Sequence, residues 1–303
     1  MLQTETLNHC PVCGSKSLRR LLIAPDYESH TGIYGVDECL SCGIGITNPR
    51  PLEEELPKLY EERSTADFPR MDGFAQRLRD HVIDRYLDGQ LGATTAVQNA
   101  TFSTLDYGCG DGALVRGLLR MGRSRKCKVN VTAVDFHNAA PPGLVHLGAD
   151  VVYQSNAAWH ASPSQYDAIF LRHVLEHHPE PLRLLQVFAA ALRPDGHLFI
   201  EVPNRRSVWA RVFGKHYFGY YLPRHLFHFD RVSLDSTLHR AGFQHVEVRL
   251  AHTPLIGSSL GYLTGRGISN TGLLGLATYP LQVGVDAICG RSTTLRATAG
   301  NHG

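Results

Sequence analysis

From residue 102 onward, short apolar runs alternate with longer stretches whose apolar residues recur at helical spacing. The runs are Phe102–Tyr107, Lys128–Val134, Val151–Tyr153, Ala168–Leu171, His197–Val202 and Phe243–Leu250, and the β-branched, alternating Thr293–Ala299 makes a seventh. Strands that alternate with helices predict βαβ units and a parallel sheet covered on both faces, an α/β fold. Upstream the texture differs. Leu52–Leu91 is charged and helical, with Phe74, Leu78, Val82 and Tyr86 spaced by four and predicted to share a face. Consecutive X-Pro steps in Asn48-Pro49-Arg50-Pro51 turn the chain away from helix before this stretch, and 94–101 reads as a loop after it. A Gly-rich stretch at about 251–290, with some helical character, is expected to cover one end of the sheet. The expected partition is an N-terminal module at 1–50, a helical linker or cap at 51–100 and the α/β domain at 101–303.

With 43% hydrophobic and 19% charged residues among 303, the composition is globular and not that of a disordered chain. Thirty basic against 28 acidic residues give no chain-wide reason to expect nucleic acid as a partner. The first twenty residues lack the apolar core of a signal peptide. The most apolar later stretch, Asn270–Cys289, contains Pro280, Asp286 and several glycines, whereas a spanning helix needs about 20 mostly apolar residues. A cytoplasmic protein without stable membrane insertion is expected.

In a reducing compartment the seven cysteines divide by spacing. Cys10-Pro-Val-Cys13 and Cys39-Leu-Ser-Cys42 are two short pairs, each followed by a glycine that permits the positive φ ending a tight knuckle. The 25 residues between Cys13 and Cys39 leave room for a β-hairpin, so a closed, structural four-cysteine Zn2+ site is predicted. Residues 1–60 carry five basic and eight acidic residues, so this module is expected to support the fold or the rim of the site and not to grip phosphates.

Leu105-Asp106-Tyr107-Gly108-Cys109-Gly110-Asp111-Gly112 follows the first strand and opens a helix, where glycines let a ligand approach the backbone at a helix N-terminus. Asp135, in Val134-Asp135-Phe136, ends the next strand, where a carboxylate can hold both ribose hydroxyls. Together they predict an adenosine-containing ligand across the strand ends. A pyrophosphate turn would read G-x-G-x-x-G, which this turn does not.

At these residues the chain resembles the class I S-adenosylmethionine-dependent methyltransferases. Their signature blocks look like LDYGCGDG, a strand-end acid, YDAIFLRHVLEHHPEP and LRPDGHLFIEVPN, and all occur in order from Leu105 to Asn204. The resemblance implies a Rossmann-like seven-stranded sheet with helices on both faces, preceded here by a small zinc ribbon. It implies S-adenosylmethionine as methyl donor, with the turn Gly108-Cys109-Gly110 facing its methionine end and Asp106 orienting that turn. By the same resemblance Asp135 binds ribose with Phe136 beside it, Asn156 flanks adenine, and the backbone at Arg172 helps hold the methionine part. Cys-Pro-x-Cys-Gly, the second CxxCG and Thr47-Asn48-Pro49-Arg50-Pro51 resemble a zinc-ribbon subset of these enzymes. That subset is distantly like the sugar C-methyltransferases and ubiquinone-biosynthesis O-methyltransferases. Sugar C-methyltransferases carry a further C-terminal domain for which this chain has no room, so a sugar nucleotide is not the expected substrate.

Acceptor residues are expected after the fourth and fifth strands. His173 and His177, four apart, are predicted to share a helix face; a metal pair there would need more ligands, and the resemblance makes His177 structural or part of the cofactor pocket. Residues 203–231 hold six Lys or Arg, one acid (Asp230) and eight aromatic residues. That mixture suits a small acceptor that is anionic, aromatic or unsaturated. Tyr221-Leu-Pro-Arg224-His225 resembles the Y-x-x-x-H region that places a candidate base in sugar C-methyltransferases. His225 is therefore the first candidate catalytic residue and Tyr221 the second, with a core or capping histidine as the alternative. Methyl transfer from a sulfonium is an in-line displacement, which needs a base only where the acceptor must lose a proton; C- or O-methylation in biosynthetic metabolism is favoured. The expected partners are a small-molecule acceptor and a second copy of the chain in a homodimer. The alternatives are a zinc-ribbon RNA methyltransferase and an S-adenosylmethionine-binding protein without catalysis.

Overall fold

A computed structural model describes residues 2–60, 73–92, 101–265 and 273–301, so the expected loop at 94–101 lies, but for Thr101, outside the described residues. β1 (Thr4–Glu5) opens the chain, and β2 (Leu18–Pro25) and β3 (Ile33–Cys39) form the antiparallel hairpin between the two cysteine knuckles. β4 (Gly45–Thr47) pairs on β3, and β5 (Arg50–Pro51) returns to β1. A 3-10 helix, Glu53–Leu59, precedes α1 (Gly73–Leu91).

The buried side of α1 differs from the expected one. Ile83, Tyr86, Leu87 and Leu91 are buried, whereas Leu78 and Val82 are 49% and 56% exposed. A strict four-residue spacing advances about 40° per step around a helix of 3.6 residues per turn. The Leu78–Val82 end of that row therefore turns away from the core before Tyr86 reaches it. The side chain of Phe74 lies outside the described residues.

The α/β domain then runs β6 (Thr101–Tyr107), α2 (Ala113–Arg125), β7 (Lys128–Asp135), β8 (Val151–Ser155), β9 (Tyr166–Arg172), α3 (Pro181–Ala191) and β10 (Leu192–Pro203). It continues with α4 (Val208–Phe213), β11 (Phe227–His228), α5 (Arg231–Arg240), β12 (His245–Ala251), α6 (Ile256–Thr264), α7 (Leu273–Cys289) and β13 (Thr294–Gly300). The seven expected strands form one sheet in the order β12-β13-β10-β9-β6-β7-β8. β13 is antiparallel to both of its neighbours, and the remaining pairs are parallel. The order reverses between β6 and β9, which opens a crevice at the carboxyl ends of these strands. One face of the sheet is covered by α1 and α2 through Leu87, Leu114, Leu118 and Phe170. The other face packs α3 and α5 through Leu185, Phe188 and Leu234, and its core is continuous with Ile44 and Ile46 of the N-terminal module.

That continuity is backed by hydrogen bonds. β11 pairs with β4, Phe227 opposite Ile46, so the module's sheet takes its last strand from the 203–231 segment. Arg205 lies 2.8 Å from Glu38 and 2.7 Å from Asp230, and Arg206 lies 2.8 Å from Asp230. Arg224 lies 3.6 Å from Asp26 and donates to the Ser29 hydroxyl at 2.6 Å. Three of the six cations expected to meet an anionic acceptor are thus matched by the chain's own carboxylates. Tyr217, Tyr220, Phe227 and Phe229 are likewise buried in the core. Glu38 and Asp26 of the acidic module thus face Arg205, Arg206 and Arg224 of the basic 203–231 segment across one interface.

At the expected cover, Asp286 on α7 accepts from Trp209 Nε1 at 2.8 Å and pairs with His252 Nδ1 at 2.9 Å, tying α7 to α4 and to the end of β12. Among the described residues no helix is long and apolar enough to cross a membrane.

Candidate active site

The metal candidates converge. Cys10 Sγ lies 3.7 Å from Cys42 Sγ, and Cys13 Sγ lies 3.5 Å from Cys39 Sγ. Four thiolates at about 2.3 Å from one zinc ion stand about 3.8 Å apart along a tetrahedron's edges, so the cluster fits Zn2+. Gly14 (φ +74°) and Gly43 (φ +77°) close the knuckles by donating to the carbonyls of Cys10 and Cys39, each at 2.8 Å.

The glycine turn lies at the crevice. Gly108 has φ +85°, and a Cβ there would stand 2.2 Å from Val174 Cγ2, so the turn is held against the segment after β9 with no room for a side chain. The backbone N–H groups of Gly108 and Cys109 both donate to the Val134 carbonyl, at 2.7 and 3.0 Å, locking the turn to the end of β7. Cys109 points its thiol into the α1–α2 core, so only its backbone faces the crevice. Asp135, 4% exposed, accepts from Gly110 N–H at 2.8 Å and from Phe136 N–H at 2.9 Å. Asn156 is exposed and donates its N–H to the Asp135 carbonyl at 2.8 Å, placing it beside Phe136 at the mouth.

Two predicted residues lie beneath this rim. The Arg172 side chain donates to Glu201 Oε2 at 2.8 Å and lies 4.7 Å over the Tyr86 ring. Burial would raise the Glu201 carboxyl, but Arg172 and Arg296 outweigh it and hold the group at about 2. Asp106 is buried with Oδ2 accepting no hydrogen bond. Burial pushes its carboxyl up to about 7; Arg172 opposes this, while Asp135 and Asp111 add to it.

This raised value gives stability a pH dependence of definite sign. An unfolded aspartate loses its proton near pH 3.9, whereas Asp106 in the fold keeps it to about 7. The folded state therefore binds the extra proton. Its contribution is complete below about pH 4 and is lost as pH rises toward 7, at about 1.4 kcal/mol per unit. In Asp106→Asn this part of the slope is expected to vanish, checked by urea unfolding of both proteins at pH 5, 6 and 7. Equal slopes for the two proteins would refute the assignment.

The four candidate catalytic residues come together in one cluster, His173 joining it through Glu176, 3.5 Å from His173 Nδ1 and 3.9 Å from His225 Nε2. The His177 and His225 rings are 4.6 Å apart, Tyr221 and His225 5.3 Å, and His177 and Tyr221 6.5 Å. His173 and His177 do not share a helix. His173 has φ +56° and its N–H donates to the Glu201 carbonyl, so a sharp turn separates it from the short 3-10 helix Leu175–His177. Burial lowers His177, and it lowers His225 far below the usual histidine value, with His177 and His228 adding to the effect on His225.

Three residues of this region carried no assigned role from the sequence. Glu176 is 1% exposed between His173 and His225. Arg224 anchors the loop to the module. Tyr60 bridges the two halves: its hydroxyl is 2.9 Å from His177 Nδ1 and its ring 5.2 Å from that of Phe136. A contact path therefore runs from Phe136 at the crevice through Tyr60 to His177 and His225. The only local signal for Glu176 was its place between histidines, and Tyr60 had none.

A seven-stranded sheet of this order, with a glycine turn after its first strand and an acid ending its second, defines the Rossmann-like methyltransferase architecture. A methyltransferase-domain family model matches residues 64–248, and the chain belongs to that family. A ubiquinone biosynthesis O-methyltransferase of Aeromonas salmonicida is 33% identical over 130 residues, 40% of this chain and 52% of that protein. Its counterpart in Cupriavidus pinatubonensis is 29% identical over 165 residues, 50% of this chain and 64% of that protein. The chain thus spans between half and two thirds of the length of these curated relatives. Among solved structures, the 1,6-didemethyltoxoflavin-N1-methyltransferase of Burkholderia thailandensis, with S-adenosylhomocysteine bound, aligns with a TM-score of 0.51. It is 18% identical and covers 89% of this chain and 96% of its own. Phosphoethanolamine N-methyltransferase 2 of Haemonchus contortus, in complex with S-adenosyl-L-methionine, aligns at 0.50 with 15% identity, covering 95% and 69%. These distant likenesses establish the fold.

Proposed function

We propose that this chain transfers the methyl group of S-adenosylmethionine to a hydroxyl of a small aromatic or unsaturated acceptor. The observation that carries the reading is Asp135. Its nearly buried carboxylate is held at Gly110 N–H, at the mouth of a turn whose Gly108 leaves no space for a side chain. A ribose fits against that carboxylate and a methionine chain along the turn, with Phe136 and Asn156 at the adenine side. Arg172 contributes its backbone, since its side chain is engaged by Glu201. The names of the ubiquinone-biosynthesis relatives favour oxygen over nitrogen as the acceptor atom. Cys10, Cys13, Cys39 and Cys42 hold a structural Zn2+, and the module at 1–50 forms one wall of the acceptor side.

In the reaction the acceptor oxygen attacks the methyl carbon in line as the carbon–sulfur bond breaks toward sulfur, leaving S-adenosylhomocysteine. The hydroxyl proton departs into the cluster of His173, His177, Tyr221 and His225. Because Arg205, Arg206 and Arg224 are paired internally, neutral phenols and enols belong beside carboxylated ones as test acceptors. Zinc-loaded protein is expected to bind S-adenosylmethionine but not NADH by calorimetry. With methyl-labelled donor it is expected to place label on oxygen in one of these acceptors. Absence of any heat with S-adenosylmethionine would overturn the proposal.

A further inference from the structure

The Glu176 carboxylate is buried, yet neither of its oxygens accepts a hydrogen bond. A buried carboxylate left without a partner costs several kcal/mol, so something must compensate it. Its surroundings are imidazoles. His173 Nδ1 is 3.5 Å and His225 Nε2 3.9 Å from Glu176 Oε1, and ligand atoms of Glu176, His177 and His225 all lie within 4.8 Å of one another. A shared proton would need these atoms within about 3.2 Å of one another. Ligands around one cation at about 2.0–2.2 Å stand farther apart, as these do.

The ring nitrogens are placed for it: His225 Nδ1 is 2.9 Å from the Gly219 carbonyl, and His177 Nδ1 is 2.9 Å from both the Arg224 carbonyl and the Tyr60 hydroxyl oxygen, either of which accepts from a ring protonated there. A ring that donates from Nδ1 to a backbone carbonyl keeps its Nε2 lone pair free, which is the outer-shell arrangement of metal-bound histidines. We propose that Glu176, His177 and His225 hold a divalent first-row cation of the zinc type, separate from the four-cysteine site, with His173 at its edge. Two imidazoles and one carboxylate suit such an ion and leave positions open for a further oxygen ligand. Resting on the methyl-transfer reading, its role is to bind the acceptor oxygen and lower the pKa of its hydroxyl. His225 is then a ligand, and the proton leaves toward the half-buried His173 or solvent.

The test measures metal in the full-length protein, without donor or acceptor, so it stands or falls apart from methyl transfer. Dialysed wild-type protein is expected to hold two equivalents of Zn2+. Co2+ added to protein whose cysteine site is zinc-filled should give d–d bands without thiolate charge transfer. Glu176→Gln and His225→Ala should each lose one equivalent and keep the cysteine-bound one, with Co2+ affinity falling at least the ~10–100-fold that loss of an outer-shell partner costs. One equivalent in wild-type protein under excess metal overturns the proposal. So does a second equivalent that both variants retain, because that ion lies elsewhere on the surface.

Discussion

Cys39→Ser is expected to abolish methyl transfer while leaving S-adenosylmethionine binding within about tenfold of wild type, or ~1.4 kcal/mol. A structural zinc site contributes roughly 10–16 kcal/mol of apparent binding energy, as much as the whole stability of a typical domain. Loss of one thiolate therefore unfolds the knuckles. The damage passes to the acceptor side through named contacts. Thr47 donates its hydroxyl to the His225 carbonyl at 2.5 Å and its N–H to the Leu226 carbonyl at 2.9 Å. Arg205 lies between Glu38 on β3 and Asp230 at the start of α5. The glycine turn meets the module less directly: its hydrogen bonds go to the Val134 carbonyl at the end of β7, and Cys109 lies in the α1–α2 core, whose buried residues include none from the module. Calorimetry and activity assays on the same preparation separate the two effects. Full activity in protein shown to have lost the cysteine-bound metal would sink this account.

The sequence spoke most clearly where structure is local. The seven strands were legible because each is a short apolar run between helical stretches. The glycine turn and Asp135 were legible because their spacing along the chain is also their spacing in space. What escaped was non-local. β11 is two residues long and has no period to detect, yet it welds the 203–231 segment to the N-terminal module. Arg205 and Arg224 read as free cations because Glu38 and Asp26, which neutralise them, lie well over a hundred residues away in sequence. His225 was visible as a candidate, but Glu176 became one only when the fold placed it beside that imidazole.

The same division shapes the proposed acceptor site. The histidine cluster assigned to it draws on three separate segments: Tyr60 after the module, the turn after β9, and residues 221–225. A cofactor pocket built on consecutive strand ends can be recognised from one block of sequence, whereas an acceptor pocket built this way cannot. Hence the donor is easier to infer than the acceptor, and substitutions in the module should alter acceptor use more than donor affinity.

Asp135→Ala tests the donor half. Its carboxylate is nearly buried, so the two hydrogen bonds proposed to the ribose hydroxyls form where water competes poorly. Hydrogen bonds to a charged group are worth about 1.5–3 kcal/mol each, so removing both should weaken S-adenosylmethionine binding by 10²-fold or more, about 3 kcal/mol at the low end. Part of the loss reflects the turn itself, because Gly110 and Phe136 N–H both lose their acceptor. Asp135→Asn separates the two contributions: its amide oxygen can still accept from one N–H, but it carries no charge for the ribose. It should lose less thermal stability than the alanine variant, because one of the two N–H groups keeps its acceptor, and still bind the donor at least tenfold more weakly. Unchanged affinity in both variants would remove Asp135 from the donor site and with it the orientation assigned to the ligand. Weakened affinity only in the alanine variant would make the carboxylate a support for the turn and not a contact to ribose.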